Sequence, residues 1–298
     1  MEEFDYRIRW RSAEVLPGAH RGLRDGPGSE FHGHVGLLGA PDPRRLDLRA
    51  SLAMPGGGWL FRRTRQTSGI GVVLLADVSA SMGAGAAGAV KGAAGGGHGI
   101  SPDAGAGRMA LLARLARLTG HSARHAGDSF GLVAADTAIR DDLWLAPSRA
   151  PGAIAEIADR LDGFVPTGHG HAGLIDAADT LAGRRRLVFV ASDFCWPIDD
   201  VERLLTALAP HQVQPIVLGD AAAEAVPDWR GLVEIDDAEG GAARAAWLRP
   251  SQRARWQAAL ADWRVGLAAS FAAHGLTPLH ADASLAAEDI TQWLAEGG

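Results

Sequence analysis

The sequence predicts an α/β fold, with a doubly wound, mostly parallel sheet and helices on both faces. Two observations predict it. Apolar runs of strand length recur along the chain, at Val72-Val73-Leu74-Leu75-Ala76, Phe130–Ala135, Leu187–Ala191 and Val213–Leu218. Amphipathic helical stripes alternate with those runs, as a β-α-β order requires.

The elements follow in order. Residues 1–66 are rich in Gly, Pro and Arg. Leu46 and Leu48 alternate there with Asp47 and Arg49, and Trp59-Leu60-Phe61 precedes Arg62-Arg63, a pattern of short strands and turns. Residues 1–68 are expected to form a β-rich N-terminal extension. The main domain then spans 69–222, opening with the strand 69–76. Residues 84–107 are nearly all Gly and Ala and bury too little apolar surface to offset their ordering entropy, so a mobile loop is expected. Helices are marked by Leu111, Leu115 and Leu118, by Ile154, Ile157 and Leu161, and by Leu174, Ala178 and Leu181. Asp199 and Glu202 form a capping-box pattern ahead of Val201, Leu204, Leu205 and Leu208. Residues 223–298 are expected to be a helical C-terminal extension. Its first part, 223–250, reads as irregular and is acidic around Glu234–Glu239. Ser251 then caps a long helix whose stripe of Trp256, Leu260, Trp263, Leu267 and Phe271 reads as core packing, and a last helix carries Ile290, Trp293 and Leu294.

Composition narrows the function. Hydrophobic residues at 47% and charged residues at 21% are ordinary for a soluble globular chain. No apolar run reaches the roughly 18–20 residues that span a bilayer. The acidic Met1-Glu2-Glu3-Phe4-Asp5 is no secretory signal, so a cytoplasmic location is expected. A net charge of −6 gives no nucleic-acid signal, and the single cysteine, Cys195, excludes an internal disulfide framework. Residues 1–66 nonetheless carry eleven arginines against eight acids, a basic segment in an acidic chain.

The chemistry concentrates after the first strong strand. Asp77, Ser79 and Ser81 place one carboxylate and two hydroxyls at alternate positions, a donor set for a hard cation such as Mg²⁺, with Ca²⁺ or Mn²⁺ as substitutes. In parallel sheets ligands bind at the carboxyl ends of strands, where Asp193 also falls. An enzyme is not expected. G-x-S-x-G, P-loop and H-E-x-x-H are absent, and the G-x-G-x-x-G match at Gly83–Gly88 sits inside the Gly/Ala tract, away from the strand end. The alternatives are a metalloenzyme or metal carrier built on His169, His171 and Cys195, or a scaffold with no functional metal site.

Asp77-x-Ser79-x-Ser81 matches the metal-ion-dependent adhesion site of von Willebrand factor A (VWA) domains. The rest of the chain resembles a bacterial VWA family encoded beside MoxR-type AAA+ ATPases. The resemblance is carried by Gly28-x-x-Phe31-x-Gly33, by Asp42-Pro43-Arg44-Arg45-Leu46-Asp47-Leu48-Arg49-Ala50, by Gly127-Asp128-x-x-Gly131-Leu132, by Ser192-Asp193-Phe194 and by Asp236-Asp237-x-Glu239-x-Gly241. Leu48 stands where tryptophan is common and Leu46 where isoleucine is. Tyr6–Arg11 and Pro17–Arg21 are similar to the MxaS-like branch from methanol-oxidation gene clusters. The resemblance implies a VWA-type fold and a metal site completed by the loop threonine Thr167 and by Asp193. It also implies a non-catalytic partner of a MoxR ATPase, acting in assembly or metal insertion of a client. For MxaS-like members that client is methanol dehydrogenase.

Overall fold

The computed structural model describes residues 2–12, 14, 17–39, 42–83, 91–92, 103–219, 231–235 and 244–297. The chain divides into two units. One comprises Arg7–Ile70 with Ala126–Asp128, the other Met1–Tyr6, Gly71–His125 and Ser129–Gly298.

The first unit is an antiparallel ribbon of β1 (His20–Gly36) and β2 (Leu60–Ser68), with α1 (Leu48–Ala53) between them. Pairing runs from His20↔Ser68 to Gly36↔Leu60 and slips between Arg21 and Asp25 and again between Asp25 and Glu30. A Gly-Pro-Gly run at 26–28 cannot hold a regular ladder, and Thr64 Oγ1 donates to the Gly26 carbonyl at 2.7 Å across the irregularity. The alternating Leu46–Arg49 segment is not a strand. Asp47 accepts the Ala50 N–H at 3.0 Å and so caps α1, and Asp42 likewise caps the 3₁₀ turn Pro43–Arg45. Local side-chain capping outweighs a two-residue alternation. At the other end of the ribbon, Asp128 is fully buried, pairs with His20 Nε2 at 2.7 Å and accepts the Ile70 N–H at 2.8 Å.

In the second unit the chain runs β3 (Gly71–Asp77), α2 (Ala80–Gly83), β4 (Lys91–Gly92), α3 (Asp103–His125), β5 (Ser129–Ala135), β6 (Ile139–Ser148), α4 (Pro151–Asp162) and α5 (Ala172–Thr180). It continues through β7 (Leu187–Ser192), α6 (Ile198–Ala207), β8 (Gln212–Leu218), β9 (Gly231–Ile235), β10 (Arg244–Leu248), α7 (Pro250–Ala273), β11 (Leu279–Ala281) and α8 (Ala287–Glu296). Six strands form the main sheet in the order β11-β8-β7-β3-β5-β6. All neighbours are parallel except β5 and β6, which leaves one antiparallel edge strand. The mixed α/β architecture therefore stands as expected, with a mostly parallel sheet.

Alternate residues of the central strands face opposite helical layers. Val73 and Leu75 join Val133, Val188 and Val190 under α5, α6 and α7. On the other face, a Cβ at Gly120 of α3 would lie 2.4 Å from Ile154 of α4 and 3.2 Å from Phe130 of β5. The missing side chain lets these helices and the sheet approach closely.

Several details differ from the sequence reading. The capping box at Asp199 is not formed. Pro197 is the N-cap of α6, and Asp199 and Asp200 lie inside the first turn, where the helix dipole favours acids. Ser251 does not cap α7. The helix starts at Pro250, a residue preset for the first helical position. Leu267 and Phe271 are buried, whereas Trp256 and Leu260 are only half covered, so the stripe is core in its second half alone. The C-terminal part is not purely helical. β9 pairs with β4 and β10, and β11 supplies an edge of the main sheet. Of the expected mobile loop 84–107, residues 103–107 open α3 and Lys91–Gly92 pair with β9, while 84–90 and 93–102 lie outside the described residues. So do residues 84–88 of the glycine motif and the acidic segment 236–241.

Candidate metal centre

β3 delivers Asp77 to the carboxyl end of the sheet, fully buried between β5 and β7. Both carboxylate oxygens are held. The Ser79 N–H donates to Oδ1 at 2.9 Å, and the Ser192 hydroxyl at the end of β7 donates to Oδ2 at 2.6 Å. The Asp77–Ser81 turn is thereby fixed, and it sets the Ser79 and Ser81 hydroxyl oxygens 3.0 Å apart. Ser79 bridges to Gly168, whose carbonyl accepts the Ala80 N–H at 2.8 Å. This draws the 166–170 loop onto the site. Gly168 is required by close approach, because a Cβ there would fall 2.0 Å from Asp136 Oδ2.

Asp193 follows β7 and is also buried. Its Oδ1 accepts the Cys195 N–H at 3.0 Å, and Arg108 Nη1 reaches its Oδ2 at 3.5 Å. The same Arg108 nitrogen donates to the Ser81 carbonyl at 3.0 Å, so one buried guanidinium ties the two acidic loops together. The turn that aims Asp193 is strained. Phe194 has a φ of +51° although it is bulky and fully buried, and the Ser192 hydroxyl accepts its N–H at 2.8 Å. Phe194 packs against Trp196 and Phe271, which locks the unusual backbone in the core.

The electrostatics are unbalanced. Burial above all, and then the nearby charge of Asp193, push the Asp77 carboxyl up to about 7, against the lowering effect of the hydrogen bonds from Ser192 and Ser79. Two buried acids thus share a site, and the Arg108 guanidinium reaches Asp193. The donors are carboxylates and hydroxyls, with no sulfur or imidazole among them. A small hard divalent cation fits this set and this charge deficit.

The structure brings Asp77, Ser79, Ser81 and Asp193 to one end of the sheet. Thr167 is adjacent in sequence to Gly168 at the Ser79 bridge, and its own side chain is exposed. His169, His171 and Cys195 are not gathered into one cluster. His171 pairs with Asp200 at 3.0 Å and stacks on Trp196 with ring centroids 4.6 Å apart, while His169 and Cys195 are exposed. Among the described residues, no three His, Cys, Asp or Glu side chains form a metal-holding group. Sequence reasoning missed Ser192, Arg108 and Asp136. Ser192 and Asp136 carried a signal, since each stands at the end of a strand beside β3. Arg108 carried none, because nothing local shows that a helical arginine faces inward.

Fold and site together define an α/β protein whose parallel strands present an Asp/Ser cluster at their carboxyl ends. The chain belongs to the DUF58 family, described as a protein of unknown function, which residues 104–265 match. That span includes Arg108, Asp136, Thr167 and Asp193 and begins after Ser81. A relative in Paracoccus denitrificans, described as an uncharacterized protein in the moxR 3' region, is 35% identical over 102 residues, which are 34% of this chain and 97% of that one. Among solved structures, the conserved hypothetical protein BatB from Bacteroides thetaiotaomicron is similar at a TM-score of 0.45 and 17% identity, over 76% of this chain and 98% of that one. An aerotolerance-related membrane protein from Bacteroides fragilis, bearing multiple mutations to serines, gives 0.41 and 15%, over 76% and 100%. Among the described residues, no helix is long and apolar enough to cross a membrane.

Proposed function

We propose that this protein is a VWA-type, non-catalytic partner of a MoxR-type AAA+ ATPase, binding it through a divalent cation held at the strand ends. The observation that carries this reading is the pair of buried acids, Asp77 and Asp193, flanking the Ser79 and Ser81 hydroxyls. Asp77, Ser79 and Ser81 would hold Mg²⁺ directly, and Thr167 and Asp193 would complete its surroundings. The cation would supply an electrophilic seat for a carboxylate of the partner. Ser192 and Arg108 orient the two acids. The partner's identity is supported by the relative from the moxR 3' region, matched over nearly its whole length. The resemblance to MxaS-like members supports a cytoplasmic role in assembly or metal insertion, with methanol dehydrogenase as client.

Titration calorimetry with Mg²⁺ on wild type and Asp77→Ala tests the cation. Binding is expected in the first and absent in the second, with both chains folded. Capture of the MoxR-type ATPase should then be abolished by a chelator and restored by excess Mg²⁺. Equal Mg²⁺ binding by Asp77→Ala, or capture indifferent to the chelator, would refute the reading.

A further inference from the structure

The ribbon unit exposes apolar side chains at one end. Leu37 and Leu38 follow β1 on the 3₁₀ turn Leu37–Gly39, Leu48 and Leu52 lie one turn apart on α1, Met54 ends that helix, and Trp59 precedes β2. All six are exposed, Leu52 at 88%. The fold gathers them at one place. Gly36↔Leu60 is the last pair of the ribbon, Asp47 N–H donates to the Leu60 carbonyl at 2.8 Å, and Leu60 N–H donates to Ser51 Oγ at 2.8 Å. α1 is therefore fastened to the same end from which Leu37 departs and at which Trp59 arrives.

The charge at this end is arginine's. The unit holds eleven arginines and six acids, in a chain of net charge −6. Its two local acids are engaged internally. Asp42 caps a turn and faces Arg45, and Asp47 caps α1 and meets His34 at 3.0 Å. Arg44, Arg49 and Arg62 are exposed, with Arg62 lying 5.3 Å over the Phe31 ring and its Nε 4.0 Å from Asp47.

We infer that this end of the ribbon docks peripherally on an anionic lipid surface. Leucine, methionine and tryptophan side chains would enter the headgroup boundary, and the arginines would meet lipid phosphates. An interface of this kind needs no shaped counterpart, which suits side chains carried on a 3₁₀ turn, a short helix and a glycine-rich loop. The inference is independent of the metal site.

Co-sedimentation of the full chain with phosphatidylglycerol/phosphatidylcholine vesicles, against phosphatidylcholine alone, tests it. Wild type should partition onto the anionic vesicles and be released by salt. Leu38→Ser/Leu52→Ser and Arg44→Glu/Arg49→Glu should each weaken partition about tenfold or more, with melting temperatures unchanged because the replaced side chains are exposed. Absence of wild-type binding, equal binding to both vesicle types, or double variants that bind like wild type would overturn the inference. Loss of ATPase capture in the double variants without any vesicle binding would overturn it too, and would make this end a protein-binding surface.

Discussion

Asp128 in the ribbon unit and Asp77 in the sheet unit are both fully buried aspartates, and their neighbours differ. Asp128 meets an imidazole at 2.7 Å and a backbone N–H at 2.8 Å. Asp77 meets a hydroxyl at 2.6 Å and a backbone N–H at 2.9 Å, but its charged neighbour is another acid. The two carboxylates have similar hydrogen bonding, but Asp128 is paired with a ring nitrogen and Asp77 faces a second acid. Burial by itself therefore does not mark a ligand site. A buried acid paired with an imidazole inside the chain is a structural fastening, whereas one facing a like charge has a repulsion that a cation from solution would relieve.

The comparison breaks most visibly on removal of each carboxylate. Asp128→Ala should strip His20 and the Ile70 N–H of their partner and lower stability by about 3 kcal/mol, read as a shifted urea midpoint. Asp77→Asn keeps most of the hydrogen bonding and removes the repulsion with Asp193. Its metal-free stability should match or exceed wild type while Mg²⁺ binding is lost. A large loss of stability in Asp77→Asn would put the two aspartates in one class and end the distinction.

The pH dependence sharpens the same contrast. The folded Asp77 carboxyl sits near 7, above the model-peptide aspartate range near 3.9. Between these values the folded chain holds a proton that the unfolded chain has released. The Asp77 contribution to metal-free stability should therefore be greatest below about pH 4, fall as pH rises towards 7, and level off above it. Asp77→Asn should flatten that component of the profile, and Mg²⁺ should stabilise wild type more at pH 8 than at pH 5. A rising stability between pH 4 and 7 that Asp77→Asn leaves unchanged would contradict this.

Arg108→Gln should have an intermediate effect. It leaves Asp193 without its guanidinium and frees the Ser81 carbonyl, at a cost of about 2 kcal/mol in the metal-free chain. Because a bound divalent cation would compensate the same acids as the guanidinium, Mg²⁺ should recover more stability in the variant than in wild type. Equal Mg²⁺ stabilisation of both would show that Arg108 does not share that task.

Much of this site was legible before any coordinates. β3, β5, β7 and β8 are buried on both faces, so their apolar runs are visible without context, and the Asp77-x-Ser79-x-Ser81 spacing follows one of them directly. Among the strands that were missed, β6 and β11 have little apolar signal. β6 buries only Leu143 of its ten residues, and β11 has just three, so neither shows a period. The missed site partners are long-range. Ser192 reaches Asp77 across 115 positions and Arg108 reaches Asp193 across 85, and no local pattern encodes either contact. The arginine-rich ribbon lies between these cases. Its charge was visible in composition, but the exposure of Leu48 and Leu52 depends on Asp47 starting a helix where alternation had implied a strand.

The smallest expected effect belongs to the histidine loop, where the contrast between an internally compensated acid and an open one recurs at the surface. Asp200 lies below the ordinary aspartate range, chiefly through its hydrogen bond with His171. The pair is partly exposed and solvent screens it. His171→Ala should therefore cost only about 1 kcal/mol, most of it from the lost stacking on Trp196. It should leave Mg²⁺ binding unchanged, since His171 is engaged by Asp200 and Trp196 and not by the Asp77 turn. The same variant separates the two metal chemistries. Zinc retained by purified wild type and lost in His171→Ala would make the imidazole a ligand and favour a His169/His171/Cys195 centre, whereas an unchanged metal content keeps His171 as a fastening between the loop and α6.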